Sequence, residues 1–285
     1  MTFRNGPLGP ASAPVAGTHS SPSGSTTEGN MAGHEEDLAK AARWLTTARK
    51  AIGLTGAGIS TESGIPDFRS AGGLWSRYDP AEYATLGAFM RDPEKVWRML
   101  AELEEVLQAQ PNPGHTALAE LEQGGYLAGI VTQNVDGLHQ AGGSRNVIEF
   151  HGSGRTLSCL TCGAVYPNSE IDRRQRPPRC RGEFRGAPCE AILKPDVVFF
   201  DEQIPPQALL DTERLVRDAD LILVVGTSCE VWPAAGIPHQ VKQQGGRIVE
   251  VNLEPAQELP SDLVFADKSA TVLPALAERV RALRQ

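Results

Sequence analysis

Four short apolar runs, residues 51–54, 127–131, 221–225 and 248–251, limit what this 285-residue chain can fold into. Each is shorter than the ten or so residues a buried helix needs, so each reads as a strand of a parallel sheet covered on both faces. Each also ends in small or polar residues: Thr55-Gly56-Ala57-Gly58, Thr132-Gln133-Asn134, Gly226-Thr227-Ser228 and Asn252. Ligands of open α/β sheets bind outside the carboxyl ends of the strands, so these polar ends are expected to meet in one crevice.

Helical periodicity fills the space between the runs. Leu38, Ala41, Ala42 and Leu45 recur at helical spacing. Pro93 opens a second helix with the stripe Val96, Met99, Leu100, Leu103 and Leu107, and a third covers His115 to Leu121. An amphipathic helix over about residues 273–283 closes the chain. The fold class expected is α/β: a Rossmann-like parallel sheet with helices on both faces. Residues 1–33 are rich in Gly, Pro, Ser, Thr and Ala and are expected to form a disordered tail before a folded domain over 34–285.

Acidic residues outnumber basic ones, 35 to 27, for a net charge of −8. That balance argues against direct nucleic-acid binding and suits a basic protein partner. No apolar stretch is long enough to cross a bilayer, and no apolar secretory segment follows Arg4, so a cytoplasmic location is expected. Four of the five cysteines, Cys159, Cys162, Cys180 and Cys189, fall within 31 consecutive positions. In a reducing compartment such clusters are metal ligands rather than disulfides. Cys159-Leu160-Thr161-Cys162 is a zinc half-site, whereas Cys180 and Cys189 stand eight residues apart. The segment 155–193 interrupts the α/β alternation and reads as a small inserted zinc lobe. Cys229 lies apart, as a small buried residue.

Gly56-Ala57-Gly58 lets the backbone approach a phosphate closely. The third glycine of the dinucleotide fingerprint is missing, because position 61 is Thr61, and no acidic ribose partner ends a strand about twenty residues on. A hydride-transferring dehydrogenase is therefore disfavoured, and a glycine turn without a ligand stays open for this motif alone.

The motif continues as Ser60-Thr61-Glu62-Ser63-Gly64-Ile65-Pro66-Asp67-Phe68-Arg69-Ser70. Together with Gln133-Asn134-Val135-Asp136-Gly137-Leu138-His139, Phe150-His151-Gly152, the run from Leu193 to Phe200 and Gly226-Thr227-Ser228, it resembles the sirtuin family over about residues 36–284. The resemblance implies an NAD⁺-dependent protein-lysine deacylase with NAD⁺ as co-substrate and one structural Zn²⁺. Gly56, Ala57, Gly58 and Thr61 would take the pyrophosphate. Asp67, Phe68 and Arg69 would close over the nicotinamide ribose, with Trp75 in the same cofactor site. Gln133, Asn134, Val135 and Asp136 would hold the ribose and carboxamide. Gly226, Thr227, Ser228, Asn252, Leu253 and Glu254 would line the adenosine end, with Ser269 at the adenine. Cys189 maps onto the family's zinc ligands directly, and Cys180 maps if residues 181–188 are an insertion.

The implied catalytic residues are His151, Asn134 and Asp136, with His151 as general base. His115 and His139 are expected to pack or cap. The acyl oxygen of a modified lysine would attack C1′ of the nicotinamide ribose, and the acyl group would pass to ADP-ribose as nicotinamide leaves. Val197, Phe199, Phe200, Glu230 and Val231 would line the site of an acyl-lysine peptide that adds as a strand. Asp201 replaces the family's usual glycine and would favour basic residues beside the lysine. Leu100 and Leu103 stand where charged-acyl specialists carry a Tyr and an Arg, so neutral acyl groups are expected. Mono-ADP-ribosyl transfer and a non-catalytic NAD-binding module are the alternative readings. Composition rich in Ala, Arg and Pro suggests a GC-rich bacterial genome.

Overall fold

The structure, a computed structural model, describes residues 33–68, 73–106, 109–172 and 177–284. The expected tail lies outside them apart from Gly33, as do Arg69, Leu107 and the side chain of Leu103. Helix α1 (Glu35–Thr47) buries the expected stripe of Leu38, Ala41, Ala42 and Leu45. Three acids in its first turn lie at the positive end of the helix dipole. Strand β1 (Ala51–Thr55) follows, then a 3-10 helix over Ala57–Ser63 and the helices α2 (Pro80–Tyr83), α3 (Leu86–Arg91) and α4 (Pro93–Val106). Helix α5 (Pro113–Gln123) starts at a capping box. Gly114 N donates to the Asn112 side chain at 2.9 Å, and Asn112 N donates to His115 Nδ1 at 3.3 Å. A cap of this kind stabilises a helix by about 1 kcal/mol.

The chain continues through β2 (Ile130–Thr132), α6 (Leu138–Ala141), β3 (Val147–Glu149), β4 (Gly152–Cys159), β5 (Val165–Pro167), β6 (Glu183–Phe184), β7 (Ala187–Pro188) and β8 (Leu193–Val197). It ends with α7 (Pro206–Val216), β9 (Leu221–Val225), α8 (Gly236–Gln243), β10 (Arg247–Val251), β11 (Leu263–Phe265) and α9 (Ser269–Ala282). Six strands form one parallel sheet in the order β11-β10-β9-β1-β2-β3. The chain runs outward from β1 to β3, then returns to the other side of β1 at β9. This reversal makes the gap between β1 and β9 the topological switch point, where α/β sheets bind ligands.

Alternation along the strands sorts the core into two layers. Ile52, Leu54, Ile222, Val224 and Ile248 pack on one face with Val216 of α7 and Val241 of α8. Leu221, Leu223, Val225, Val249 and Val251 pack on the other with α1, α5 and α9. The runs over 51–54, 221–225 and 248–251 were legible as strands because both faces are covered, whereas the run over 127–131 enters the sheet only from Ile130, in β2. Strands β3 and β11 were not anticipated. Each has only three residues and lies at an edge of the sheet, where one flank is unpaired and the hydrophobic demand is weaker.

The segment between β3 and α7 builds a separate antiparallel sheet, β5-β4-β8, and a β6–β7 hairpin. Its apolar side packs on α3 and α4 through Phe89, Trp97, Leu157, Leu193 and Phe199. Strand β8 ends at Val197, and Phe200 forms an isolated parallel bridge with Thr85.

Gly226 sits directly after β9 at φ +62, and a Cβ there would lie 2.6 Å from the Gly58 carbonyl carbon and closer still to Ile59 N. Both obstacles are backbone. Gly226→Ala should therefore destabilise the protein by roughly 2 kcal/mol or more, read as a lower urea midpoint. An unchanged midpoint would show that these two loops can separate freely.

Candidate active site

Three glycines bring two strand ends into contact. Gly56 N donates to Val225 O at 3.0 Å, Gly58 N to Gly226 O at 2.8 Å, and Gly226 N to Val251 O at 3.0 Å. A Cβ on Gly56 would lie 2.8 Å from Gly226 O, and one on Gly58 would lie 2.7 Å from Gly226 Cα. The glycines are thus required by the approach of the loops to each other. Thr61 turns its hydroxyl inward, donating to Gly58 O at 2.9 Å.

The segment after β2 closes one side of this junction. Asn134 Nδ2 donates to Gly56 O and to Ser60 Oγ, both at 3.1 Å. Ser60 Oγ donates to Asp136 Oδ2 at 2.7 Å, and Leu138 N donates to Asp136 Oδ1 at 2.9 Å. Gln133 Nε2 donates to Thr227 Oγ1 at 2.9 Å. On the other side, Asn252 Nδ2 donates to Thr227 O at 3.1 Å. Residues from four strand ends are therefore held in one hydrogen-bonded group, as expected. Val135 lies within the segment, half-buried, and Ser228, Leu253 and Glu254 are exposed at the rim. Ser269 stands at the start of α9 with its hydroxyl 3.3 Å from Glu62 Oε2, which also caps the helix by accepting from Ala270 N at 2.8 Å.

A second wall is aromatic. Trp75 N donates to Phe68 O at 2.9 Å, and the two rings stack with centroids 5.2 Å apart. Leu74 N donates to Asp67 O, so the Asp67–Phe68 segment is pinned by two backbone bonds. Trp75 in turn lies 6.2 Å from the exposed ring of Phe200. Phe199 points the other way, into the small lobe against Phe89 at 5.8 Å. Val231 is half-buried and Glu230 exposed on the loop after β9. Leu100 is half-buried and packs against the small-lobe core.

His151 joins the two walls. Its Nδ1 lies 3.2 Å from Gln133 O, and its own carbonyl accepts from Val198 N at 2.8 Å. A carbonyl can only accept, so neutral His151 carries its proton on Nδ1 and leaves Nε2 basic. Nε2 takes no partner among the described residues. Burial holds the imidazole below its ordinary pKa, and the Gln133 carbonyl opposes this in part.

All four clustered cysteines converge. Their Sγ atoms lie within 4.8 Å of one another, with Cys159–Cys189 at 3.6 Å and Cys162–Cys180 at 3.4 Å. Zinc–sulfur bonds of ~2.3 Å in a tetrahedron put sulfurs ~3.8 Å apart, so the set fits one structural Zn²⁺. The eight-residue spacing of Cys180 and Cys189 is absorbed by the β6–β7 hairpin. Its turn residues Arg185 and Gly186 both have positive φ, as a tight two-residue hairpin turn requires. Tyr166 Oη lies 3.2 Å from Cys180 Sγ and accepts from Arg181 N at 3.0 Å, so its proton is free to face a thiolate.

Family comparison agrees with this geometry: the family model of the Sir2 family matches residues 56–233. The chain belongs to the Sir2 family. It is 47% identical over 243 residues to an NAD-dependent protein deacylase 2 of Pyrobaculum aerophilum, covering 83% of this chain and 93% of that one. Its fold is similar to a solved Sir2 homologue–NAD complex, with a TM-score of 0.78, 42% identity, and 88% and 95% of the two chains covered. It is also similar to a Sir2 protein bound to a myristoylated histone peptide, with a TM-score of 0.74, 35% identity, and 88% and 98% covered.

Two features of this Sir2 site escaped the sequence reading. Glu250 lies in a run read as purely apolar, yet its buried carboxylate accepts from Asn252 Nδ2, Ala256 N and Ser261 Oγ at 2.8, 2.6 and 2.7 Å. It thereby fixes Asn252. An acid inside an otherwise apolar strand was the available signal. Ser60, quoted only as part of a motif, is the hub between Asn134 and Asp136.

His115 and His139 do more than pack or cap. Their rings meet edge to face at 5.0 Å, with His139 Nε2 2.8 Å from Thr55 Oγ1 and His115 Nε2 3.4 Å from Ser60 Oγ. Burial pushes His115 down to about 4 and His139 down to about 3. The unfolded chain takes up both protons near pH 6.5, whereas the folded chain refuses them until about 4 at His115 and about 3 at His139. Stability should therefore be level above pH 6.5 and fall as pH drops from 6.5 toward 4. In urea titrations across that window, His139→Gln should flatten the slope, and an unaltered slope would contradict the assignment. Metal analysis should find one zinc per chain, with Cys180→Ala lowering retention after chelator dialysis at least about tenfold. Full retention would remove Cys180 from the ligand set.

Proposed function

We propose that this Sir2 protein is an NAD⁺-dependent protein-lysine deacylase, passing the acyl group of a modified lysine to ADP-ribose with release of nicotinamide. The observation that carries the reading is His151: a neutral imidazole tethered at Nδ1 to Gln133 O, which leaves Nε2 basic, on a residue whose carbonyl accepts from Val198 N. Gln133, Asn134 and Asp136 orient the nicotinamide ribose and carboxamide, and the three glycines leave the backbone bare beside the pyrophosphate. Phe68 and Trp75 exclude water from the reacting carbon. NAD⁺ enters as a consumed reactant that supplies the electrophilic C1′. The acyl oxygen of the modified lysine would displace nicotinamide from C1′, His151 Nε2 would take the proton of a ribose hydroxyl as it adds to the acyl carbon, and water would complete the release of the lysine amine and O-acyl-ADP-ribose. The zinc, held by Cys159, Cys162, Cys180 and Cys189, has a structural part only: it fixes the lobe that carries β8.

Leu100 presents an apolar side chain where a carboxylate would need a cation, which supports neutral acyl groups. The net charge of −8 supports basic, lysine-bearing protein partners rather than nucleic acid. Among the described residues no helix is long and apolar enough to cross a membrane. Free clustered thiols support a reducing, cytoplasmic setting, and the catalytic unit is taken as residues 34–285 with its zinc lobe over about 155–193.

Mass spectrometry of the protein with NAD⁺ and an acetyl-lysine peptide should give free lysine peptide and O-acetyl-ADP-ribose. His151→Ala should lower turnover at least about 100-fold. The base must be neutral, and its pKa lies below 6.5, so the rate should be level above pH 6.5 and fall only below it. A succinyl-lysine peptide run alongside should react more slowly. ADP-ribosylated peptide with the acetyl group intact would replace the deacylase reading by ADP-ribosyl transfer.

A further inference from the structure

Lys194 is a buried charge that the reaction does not use. Only 4% of its side chain is exposed, and its ammonium meets three acceptors: Pro195 O at 3.0 Å, Val197 O at 2.8 Å and Glu202 Oε2 at 2.9 Å. An ammonium has three hydrogens, so it is saturated. Its Nζ also lies 4.6 Å from the centre of the Phe199 ring. The same Glu202 oxygen accepts from Phe199 N at 2.9 Å, while Glu202 N donates to Phe199 O at 3.1 Å. One ion pair thus ties the end of β8 to both sides of the turn over residues 199–202.

That turn is a place where the backbone needs holding. Asp201 has φ +64, a conformation that costs an L-residue of order 1 kcal/mol and that Asp tolerates better than most. Phe200 leaves the turn to bridge Thr85, with Phe200 N donating to Ala84 O at 2.8 Å and Leu86 N donating to Phe200 O at 3.0 Å. Its ring faces Trp75, which stacks on Phe68. None of the atoms bound by Lys194 or Glu202 belongs to the strand-end group around Gly56, Asn134 and Gly226.

We propose that Lys194 and Glu202 are positioning residues for the acyl-lysine substrate: their buried pair sets the course of residues 197–202, the edge on which the substrate strand lies. The proposal rests on the deacylase reading. Because the pair touches the substrate edge and not the NAD⁺ side, its loss separates the two substrates. A burial cost is accepted here for placement, since a buried ion pair adds little net stability over apolar packing.

Steady-state kinetics on the full chain test this with Lys194→Met and with Glu202→Gln, the second of which keeps the side-chain shape should the first fold poorly. Both should raise the KM for an acetyl-lysine peptide about tenfold while the affinity for NAD⁺, measured by direct binding, stays within about twofold. The double variant should be no worse than either single, because the pair acts as one unit. An unchanged peptide KM, or a parallel loss of NAD⁺ affinity, overturns the positioning role and leaves the deacylase reading intact. A wild-type protein that turns over no acyl-lysine peptide overturns both.

Discussion

The contact between two strand-end loops, Gly56–Gly58 after β1 and Gly226–Thr227 after β9, is the constraint on which the rest of the site depends. Strands β1 and β9 pair in register from Ala51 with Leu221 to Thr55 with Val225, so both chains leave the sheet at the same height. Backbone then meets backbone, with bonds from Gly56 to Val225 and from Gly58 to Gly226. A Cβ at any of Gly56, Gly58 or Gly226 would lie under 3.0 Å from backbone of the facing loop, so the loops would have to shift apart. Everything that reaches into the crevice is hung on this junction: Asn134 through Gly56 O, and Gln133 and Asn252 through Thr227. A sheet whose order reversed elsewhere would not bring these residues together.

This dependence explains what was legible in the sequence. The central strands β1, β9 and β10 were readable because burial on both faces demands continuous apolar residues, and their polar ends were readable because a ligand crevice demands the opposite. The edge strands β3 and β11 face neither demand fully, and their three-residue lengths leave no period to detect. The zinc ligands were readable as residue types, but the closeness of Cys180 to the other three was not. It comes from Arg185 and Gly186 adopting positive φ in a two-residue turn, and Arg gives little sequence sign of that. Glu250 escaped for a related reason. A single acid in Arg247–Val251 does not break the apolar pattern, and its three donors come from residues two to eleven positions later, across a loop whose path sequence does not show.

The small lobe contributes stiffness rather than chemistry. The four-cysteine cluster before β8 and the Lys194–Glu202 pair at its end flank the strand, and Trp97 Nε1 donates to the carbonyl of its first residue, Leu193, at 2.8 Å. Gly152 at φ +75 lets β4 press against Asp196 of the same strand. His151 immediately precedes Gly152, so the placement of the proposed base and the placement of the proposed substrate edge are coupled. A lobe that loosened would displace both together.

Three histidines line or underlie this crevice, and burial lowers the pKa of all three, so proton affinity alone does not select the base. Hydrogen bonding does. His115 accepts at Nδ1 from Asn112 N, which leaves its proton on Nε2 facing Ser60: it is a donor in its neutral form. His139 spends Nε2 on Thr55, and its Nδ1 is buried with no partner among the described residues. Of the three, His151 has its donor nitrogen committed to a carbonyl and its acceptor nitrogen without a partner among the described residues. Its carbonyl also accepts from Val198 N, on the edge proposed for the substrate. The same burial that keeps the other two neutral and structural keeps His151 neutral and able to accept, and the difference in function follows from which ring nitrogen the main chain occupies.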